Sequence, residues 1–412
     1  MRFRSSVLAV IASMSLFACT ASTDDGTSPP APAPQPSPPS ETPAPAPVAT
    51  NPPANPPPAS PPKDLGAVFT IDNDAEVNHV LAFARAEDGT LSAPTSYDTF
   101  GRGTGAGLGS QAALALSADA KTLVVVDAGS NEISSFAVDG AKLTLVSNVY
   151  AGGMMPTSVA IQGSLVYVLN AGDSTVSGFS LDAKGNLAPI ANSTRSLSGP
   201  SVGGGQIAFS PSGDVLVVSE KGTNMIDTFV VAADGTASKG EANPSSGQTP
   251  FGFAFSKAGV LVVSEAFGGA AGAAAVSTYT VGLAHDAIAS GDMERDLVSV
   301  SASMKDNQGA ACWIAITADG KVAYTTNAAS GNVSAYAIGS GGALSLVGDG
   351  VAASTGSGSK PLDMAIDRGS KRLYVLDGGN HAIQWFAIGT DGALTKGSSI
   401  AVPATAFGVV GY

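Results

Sequence analysis

Short apolar runs alternate with polar turns from residue 64 to the end of the chain, and the alternation repeats. Residues 124–138 read VVVDAGSNEISSFAV and residues 167–181 read YVLNAGDSTVSGFSL. In both, an apolar run ends in an acid or amide, a polar turn follows, and an aromatic lies in the next run. The aromatic recurs at Phe83, Phe136, Phe179, Phe229, Tyr279, Tyr336 and Phe386. A period of about 50 residues in β-rich units predicts a propeller, because each unit buries its faces only against its neighbours. In the third unit the strands read PTSVAIQ, LVYVLN, TVSGFSL and LAPIANS from the axis outward. Turns such as SPSGD and TADGK separate the first two strands of a unit, and AADGT or GTDGA the last two. Their Gly and Asp residues supply left-handed backbone for hairpins. The expectation is an all-β, seven-bladed propeller with four-stranded blades. The first unit begins with its second strand, GAVFTIDND, and the chain ends in PATAFGVVGY, which reads as an inner strand with nothing after it. The C-terminal strand is therefore expected to join the N-terminal blade and close the ring, leaving no open edge.

The units GGGQIAFSPSGDVLVVSEKGTNMIDTF, AACWIAITADGKVAYTTNAASGNVSAYAI and PLDMAIDRGSKRLYVLDGGNHAIQWFAI resemble those of the lactonase and YVTN-type seven-bladed β-propellers, among them proteins described as 3-carboxymuconate cyclase-like. The likeness covers residues 66–412. It implies a lactonase or cyclase activity on a small lactone or carboxylic ligand, at a channel-mouth site of His, Arg and Glu. Gly203 and Gly205 stand where the family's first His motif would be, and Pro250, Phe251 and Gly252 where its Arg and second His would be. Glu265 stands at the family's Glu and is alone retained. By this resemblance Glu265 is the candidate catalytic acid or base.

Composition narrows the partners. The chain is 13% charged and 6% aromatic with 50 Gly, as suits many tight turns. Its formal net charge of −13 repels phosphate backbones and excludes nucleic acid as an expected partner. Arg2 and Arg4 precede the apolar VLAVIASMSLFA, which is too short to span a bilayer. Leu16, Ala18 and Cys19 then fit a bacterial lipoprotein signal, with the Cys19 thiol as the lipidation site. Thr20 rather than Asp after it favours the outer membrane. The expected domains are a signal peptide at 1–18, a Pro-rich tether at 19–63 and the propeller at 64–412. Seventeen of the 26 prolines lie in the tether, which should be extended and polyproline II-like. The expected product is a monomeric propeller held at the cell envelope by a lipid anchor. With Cys19 lipidated, Cys312 is expected to be a buried, inert thiol.

An acid or amide follows the second strand of each unit: Asp74, Asp127, Asn170, Glu220, Glu265, Asn327 and Asp377. Seven copies point to turn capping by most of them. Glu is a poor short-range capper, so Glu220 and Glu265, in adjacent blades, are candidates to face a ligand. No cofactor is expected, although their oxygens would suit Ca²⁺ if a cation were bound. Phe251, Gln206 and Trp313 are further candidate ligand contacts at the channel mouth. His79 and His381 lie at turns of blades that adjoin in a closed ring, and His285 lies in an irregular insertion. GRGTGAGLG at 101–109 has no helix after it and is not expected to cradle phosphate. FGGAAGAAA at 267–275 enlarges the turn beside Glu265 and is either a lid or a plain insertion. A non-catalytic binding or interaction propeller is the alternative to the enzyme.

Overall fold

The computed structural model describes residues 66–283 and 295–412. The leader, Cys19, the Pro-rich segment to residue 63 and His285 lie outside the described residues. Seven antiparallel sheets form the blades. Their inner strands are Phe407–Gly411 for blade 1, then Leu114–Leu116, Pro156–Gln162, Gly204–Phe209, Pro250–Phe255, Ala311–Ile316 and Pro361–Ile366 for blades 2 to 7. Three strands follow outward in each. In blade 3 they are Leu165–Asn170, Thr175–Leu181 and Leu187–Pro189. The first three strands of that blade match the sequence reading; the outer strand is interrupted after Pro189, and the short segment Arg195–Ser196 resumes the pairing with Thr175–Val176. Among the described residues no helix is long and apolar enough to cross a membrane.

The ring closes as expected. Phe407–Gly411 pairs with Ala67–Ile71 and supplies the inner strand of blade 1. Tyr412 N–H donates to Ala67 O at 3.1 Å, and Arg85 Nη2 donates to Tyr412 O at 3.1 Å. The repeated aromatic of each third strand is at most 1% exposed in all seven blades. It packs on the preceding blade: Phe229 clusters with Tyr167 and Leu169, Tyr279 with Val215 and Val217, and Tyr336 with Val260 and Val262. Each such burial contributes about 1.5–3 kcal/mol. This is why one aromatic per unit is enough to mark the period.

In every blade the inner strand begins and the second strand ends on the same face of the disc. That upper face carries the crossover loops between blades. The described chain enters blade 1 at Gly66, at the start of a second strand and so on the lower face.

Candidate functional site

The inner strands present one residue each at a common level, opposite the penultimate residue of the second strand. In blades 2 to 7 these are Ala113, Ser158, Gln206, Gly252, Trp313 and Asp363. An inner strand has no further strand toward the axis, so its axis-facing N–H groups need other acceptors. Ser158 Oγ accepts Ile207 N–H of the next blade at 3.1 Å, and Gln206 Oε1 accepts Phe253 N–H at 2.7 Å. Blade 5 has Gly252 at this level and offers no side chain. Gln111 crosses from blade 2 in its place: its Oε1 accepts Ile314 N–H at 3.0 Å and its Nε2 donates to Ile314 O at 2.7 Å. A Cβ on Gly252 would lie 2.1 Å from that Oε1, so only Gly admits the strut.

Aromatic rings fill the space beside Gln111. Phe251 and Trp313 meet edge to face at 4.9 Å between centroids, and Trp313 and Phe407 at 6.4 Å. Trp313 Nε1 donates to Ser110 O across the axis at 2.8 Å. Gln206, Phe251 and Trp313 come together, but as buried struts and packing at 5%, 1% and 0% exposure rather than an exposed contact surface. Cys312 is fully buried beside them, but it is disulfide-bonded rather than the free thiol expected.

Lys221 lies above this layer, in the turn that follows the second strand of blade 4. Its Nζ donates to Gly109 O of blade 2 and stands 4.9 Å from the centroid of the Phe251 ring of blade 5. One side chain thus spans the upper mouth. The residue is half-buried, but its ammonium end is enclosed, and that desolvation pushes it down to about 8. No ion pair among the described residues involves it. Gly203 leaves open space within 3.4 Å of its own Cβ position, with Lys221 Cβ and Cε at 3.9 Å.

The recurrent acids and amides act between blades. Asp127 accepts from Thr99 Oγ1 at 2.6 Å and Asn78 Nδ2 at 2.9 Å, both from blade 1, and from Ser134 Oγ at 2.7 Å. Glu220 accepts the N–H and Oγ of Ser198, from the crossover out of blade 3, at 3.0 and 2.5 Å. Glu265 accepts Gly247 N–H at 2.8 Å, from the crossover out of blade 4, and the hydroxyls of Ser277 and Ser303 at 2.5 Å each. These side chains clasp the preceding blade's crossover, where the sequence pointed to capping of their own turns. Asp377 does both: it takes Lys360 N–H at 2.9 Å and the N–H groups of Gly379 and Asn380 in its own turn. In blade 1 the corresponding residue is Asp72, paired with His79 Nδ1 at 2.8 Å, not Asp74, which is exposed and caps its turn through Glu76 N–H at 2.8 Å. A two-residue offset in an irregular turn hid this.

Glu265 is fully buried and does not face the mouth residues. Its surroundings are hydroxyls and Gly247, not the apolar neighbours expected; burial still raises its carboxyl, with those donors opposing. Glu220 and Glu265 engage separate partners in separate clasps. Among the described residues no group of three or more His, Cys, Asp or Glu side chains is arranged to hold a metal ion. No hydrogen bond among the described residues joins His79 and His381. Residues 101–109 are tied to the turn of blade 1 through Gly103 N–H to Asp74 O and Gly105 N–H to Asn73 O at 2.6 and 2.9 Å. Phe267–Gly269 of the enlarged turn form a short 3-10 turn on the upper face.

Comparison with known proteins agrees with the architecture. The family model for the lactonase 7-bladed β-propeller matches residues 75–202, 191–266 and 273–409. No curated protein matches the chain. A candidate 6-phosphogluconolactonase from Bacteroides fragilis has a similar structure, with a TM-score of 0.66 at 21% identity over 86% of this chain and 100% of that one. The periplasmic gluconolactonase of Pseudomonas aeruginosa gives 0.62 at 19% identity over 82% and 97%. At these identities the likeness is one of fold. The matched segments span most of the propeller, and the chain belongs to the lactonase seven-bladed β-propeller family.

Proposed function

We propose that the protein binds a small carboxylate or its lactone at the upper channel mouth, with Lys221 receiving the carboxylate or the lactone carbonyl. The observation that carries this is Lys221 itself: an enclosed ammonium with no acid partner among the described residues, at the mouth of a strongly acidic protein. An unpaired cation beside an aromatic ring is a receptor for a small anion. The names of the similar solved structures point to sugar lactones and aldonic acids as the first class to try. Neither Gly203, Gly205 nor Phe251 offers an acid, base or guanidinium there, which favours binding over the family's hydrolysis. A hydrolytic reading rests on the same amine, since a lysine near pH 8 is part neutral and able to take a proton from water. Calorimetry with gluconate and with gluconolactone, alongside a ring-opening assay, separates the two. Binding that is lost in Lys221→Met, without ring opening above the solvent rate, supports the receptor. Ring opening that falls above background only with Lys221 present supports the enzyme. Binding unchanged in Lys221→Met overturns both.

We also infer an envelope location, from Leu16, Ala18 and Cys19 at the end of the apolar leader. An anchor there would reach the propeller at Gly66, on the lower face, opposite the Lys221 mouth. Mass spectrometry of the mature N-terminus checks it; an unacylated terminus elsewhere than Cys19 overturns it.

A further inference from the structure

A cavity of about 320 Å³ lies below the Gln111 strut, against the inner strands of blades 7, 1 and 2. Leu114, Leu116, Met364 and Val409 give it apolar walls, Gln111 borders it above, and Asp363 is its one ionisable group. Asp363 is 2% exposed. Its Oδ1 accepts Met364 N–H at 2.8 Å, and its Oδ2 accepts the N–H groups of Ala112 and Val409 at 3.4 Å each. No ion pair among the described residues involves it.

The other blades show what this level of the channel requires. Ser158 and Gln206 each satisfy an inner-strand N–H of the next blade, Gln111 satisfies one across the channel, and all are neutral. Blade 7 does the same work toward Val409 N–H with a carboxylate. Toward Val409 N–H alone a neutral acceptor would serve, as Ser158 and Gln206 show, so the carboxylate brings a negative charge that this one task does not require. A charge buried without a counter-charge is unfavourable, and here it borders a cavity at the small end of the range for ligand sites. Apolar walls with one acid complement a short alkyl chain ending in an ammonium. The acidic protein also concentrates cations near the channel.

We propose that the lower channel cavity is a binding site for a small primary alkylammonium, with the ammonium on Asp363 and the alkyl chain against Leu114, Leu116 and Val409. This site is separate from the Lys221 mouth and takes the opposite charge. Burial pushes Asp363 up to about 7, so occupancy should rise as pH passes that value.

The test uses n-butylammonium and the neutral n-butanol as probes, read by thermal shift and calorimetry one pH unit either side of about 7. The expected result is saturable binding of n-butylammonium, tighter at the higher pH, and no matching response to n-butanol. Asp363→Asn should weaken the ammonium by at least roughly tenfold. Leu116→Trp keeps Asp363 and narrows the cavity, and should also weaken it, which covers the case in which Asp363→Asn folds poorly. Lys221→Met should bind the ammonium normally, whatever becomes of the mouth. Equal responses to alcohol and ammonium, no saturable binding in the millimolar range, or full binding in Leu116→Trp would overturn the proposal.

Discussion

Glu220 and Asp227 share one donor. The N–H of Ser198 lies 3.0 Å from Glu220 Oε1 and 3.0 Å from Asp227 Oδ2, with both acidic residues at most 1% exposed. Two carboxylates so placed cannot both ionise without strong repulsion, and the pair retains a proton. The repeat makes the arrangement exceptional. At the position of Asp227 the other clasps carry Ser134, Ser177, Ser277, Ser334 and Gln384. Only blade 4 puts an acid against an acid, in the blade whose turn carries Lys221.

The pair should make stability depend on pH. Desolvation first, then Glu220, push Asp227 from 3.8 up to about 8. The folded state therefore holds a proton that the unfolded chain has released. Stability should be highest near pH 4, fall as pH rises toward about 8, and level off above it. Asp363, raised to about 7, and Asp127, raised to about 6, act in the same direction. Asp227→Asn replaces the protonated acid by a neutral amide. It should flatten the slope and be more stable than wild type above pH 8 by about 1–3 kcal/mol. Urea unfolding across this range measures it. A wild-type slope in Asp227→Asn would place the proton elsewhere.

Glu265 should matter for stability rather than for ligand. Its oxygens accept Gly247 N–H, Ser277 Oγ and Ser303 Oγ, and a Cβ on Gly247 would lie 2.1 Å from Oε2. In Glu265→Gln one oxygen becomes an amide donor facing donors, at a cost of about 1–3 kcal/mol. Gly247→Ala should be worse, because the crossover can then no longer approach the carboxylate. Gluconate or gluconolactone binding by whatever protein remains folded should be unchanged. Loss of binding at unchanged stability in Glu265→Gln would restore it to the site.

The blades, their strand order and the closing strand were legible because burial against neighbouring blades stamps an aromatic and two apolar strands on every unit. The clasps were legible as positions but not as contacts, since their partners come from a different blade across a loop of variable length. Glu265 misled because its four donors lie 12 to 38 residues away, in the crossover out of blade 4 and in the outer strands of blade 5, and are mostly serines. Lys221 and Asp227 carried a signal that alignment of the repeats exposes. After the clasp residue stand Ala128, Ala171, Ala266, Ala328 and Gly378, but Lys221 in blade 4. Asp363 similarly replaces a neutral residue. A departure from the repeat, not the repeat, marks the chemistry. Gln111 left no such trace, because its partner Ile314 is 203 residues away across the channel.

The closing strand should be indispensable. Thr70 Oγ1 donates to Phe407 O at 3.2 Å, and Phe407 is 1% exposed. Phe407→Ala removes a ring that packs on Trp313 and should cost about 3–5 kcal/mol. Deleting residues 404–412 strips blade 1 of its inner strand, exposing the edge of Ala67–Ile71, and should give aggregated protein. Size-exclusion chromatography and thermal melting check both. A truncated chain that melts like full length would mean that closure does not depend on this strand.

Gln111 should hold the channel shut. It lies in blade 2, bonds both backbone groups of Ile314 in blade 6, and its own N–H donates to Gly205 O in blade 4 at 3.0 Å. The backbone bond survives substitution, whereas the side-chain pair does not. Gln111→Ala would leave the N–H of Ile314 without its acceptor in a site with little water, costing about 1–3 kcal/mol. Gln111→Glu keeps the acceptor for Ile314 N–H but sets a second carboxylate oxygen against Ile314 O, and should cost at least as much. The two substitutions differ in pH response: Gln111→Glu should recover stability as pH falls and the carboxyl regains the donor hydrogen that Nε2 supplies in wild type, while Gln111→Ala should not. Hydrogen exchange at Ile314 N–H reports the opening directly, and it should accelerate in Gln111→Ala more than at Ile207 N–H, which Ser158 holds. Equal protection of Ile314 in wild type and Gln111→Ala would show that the strut is not what closes the channel.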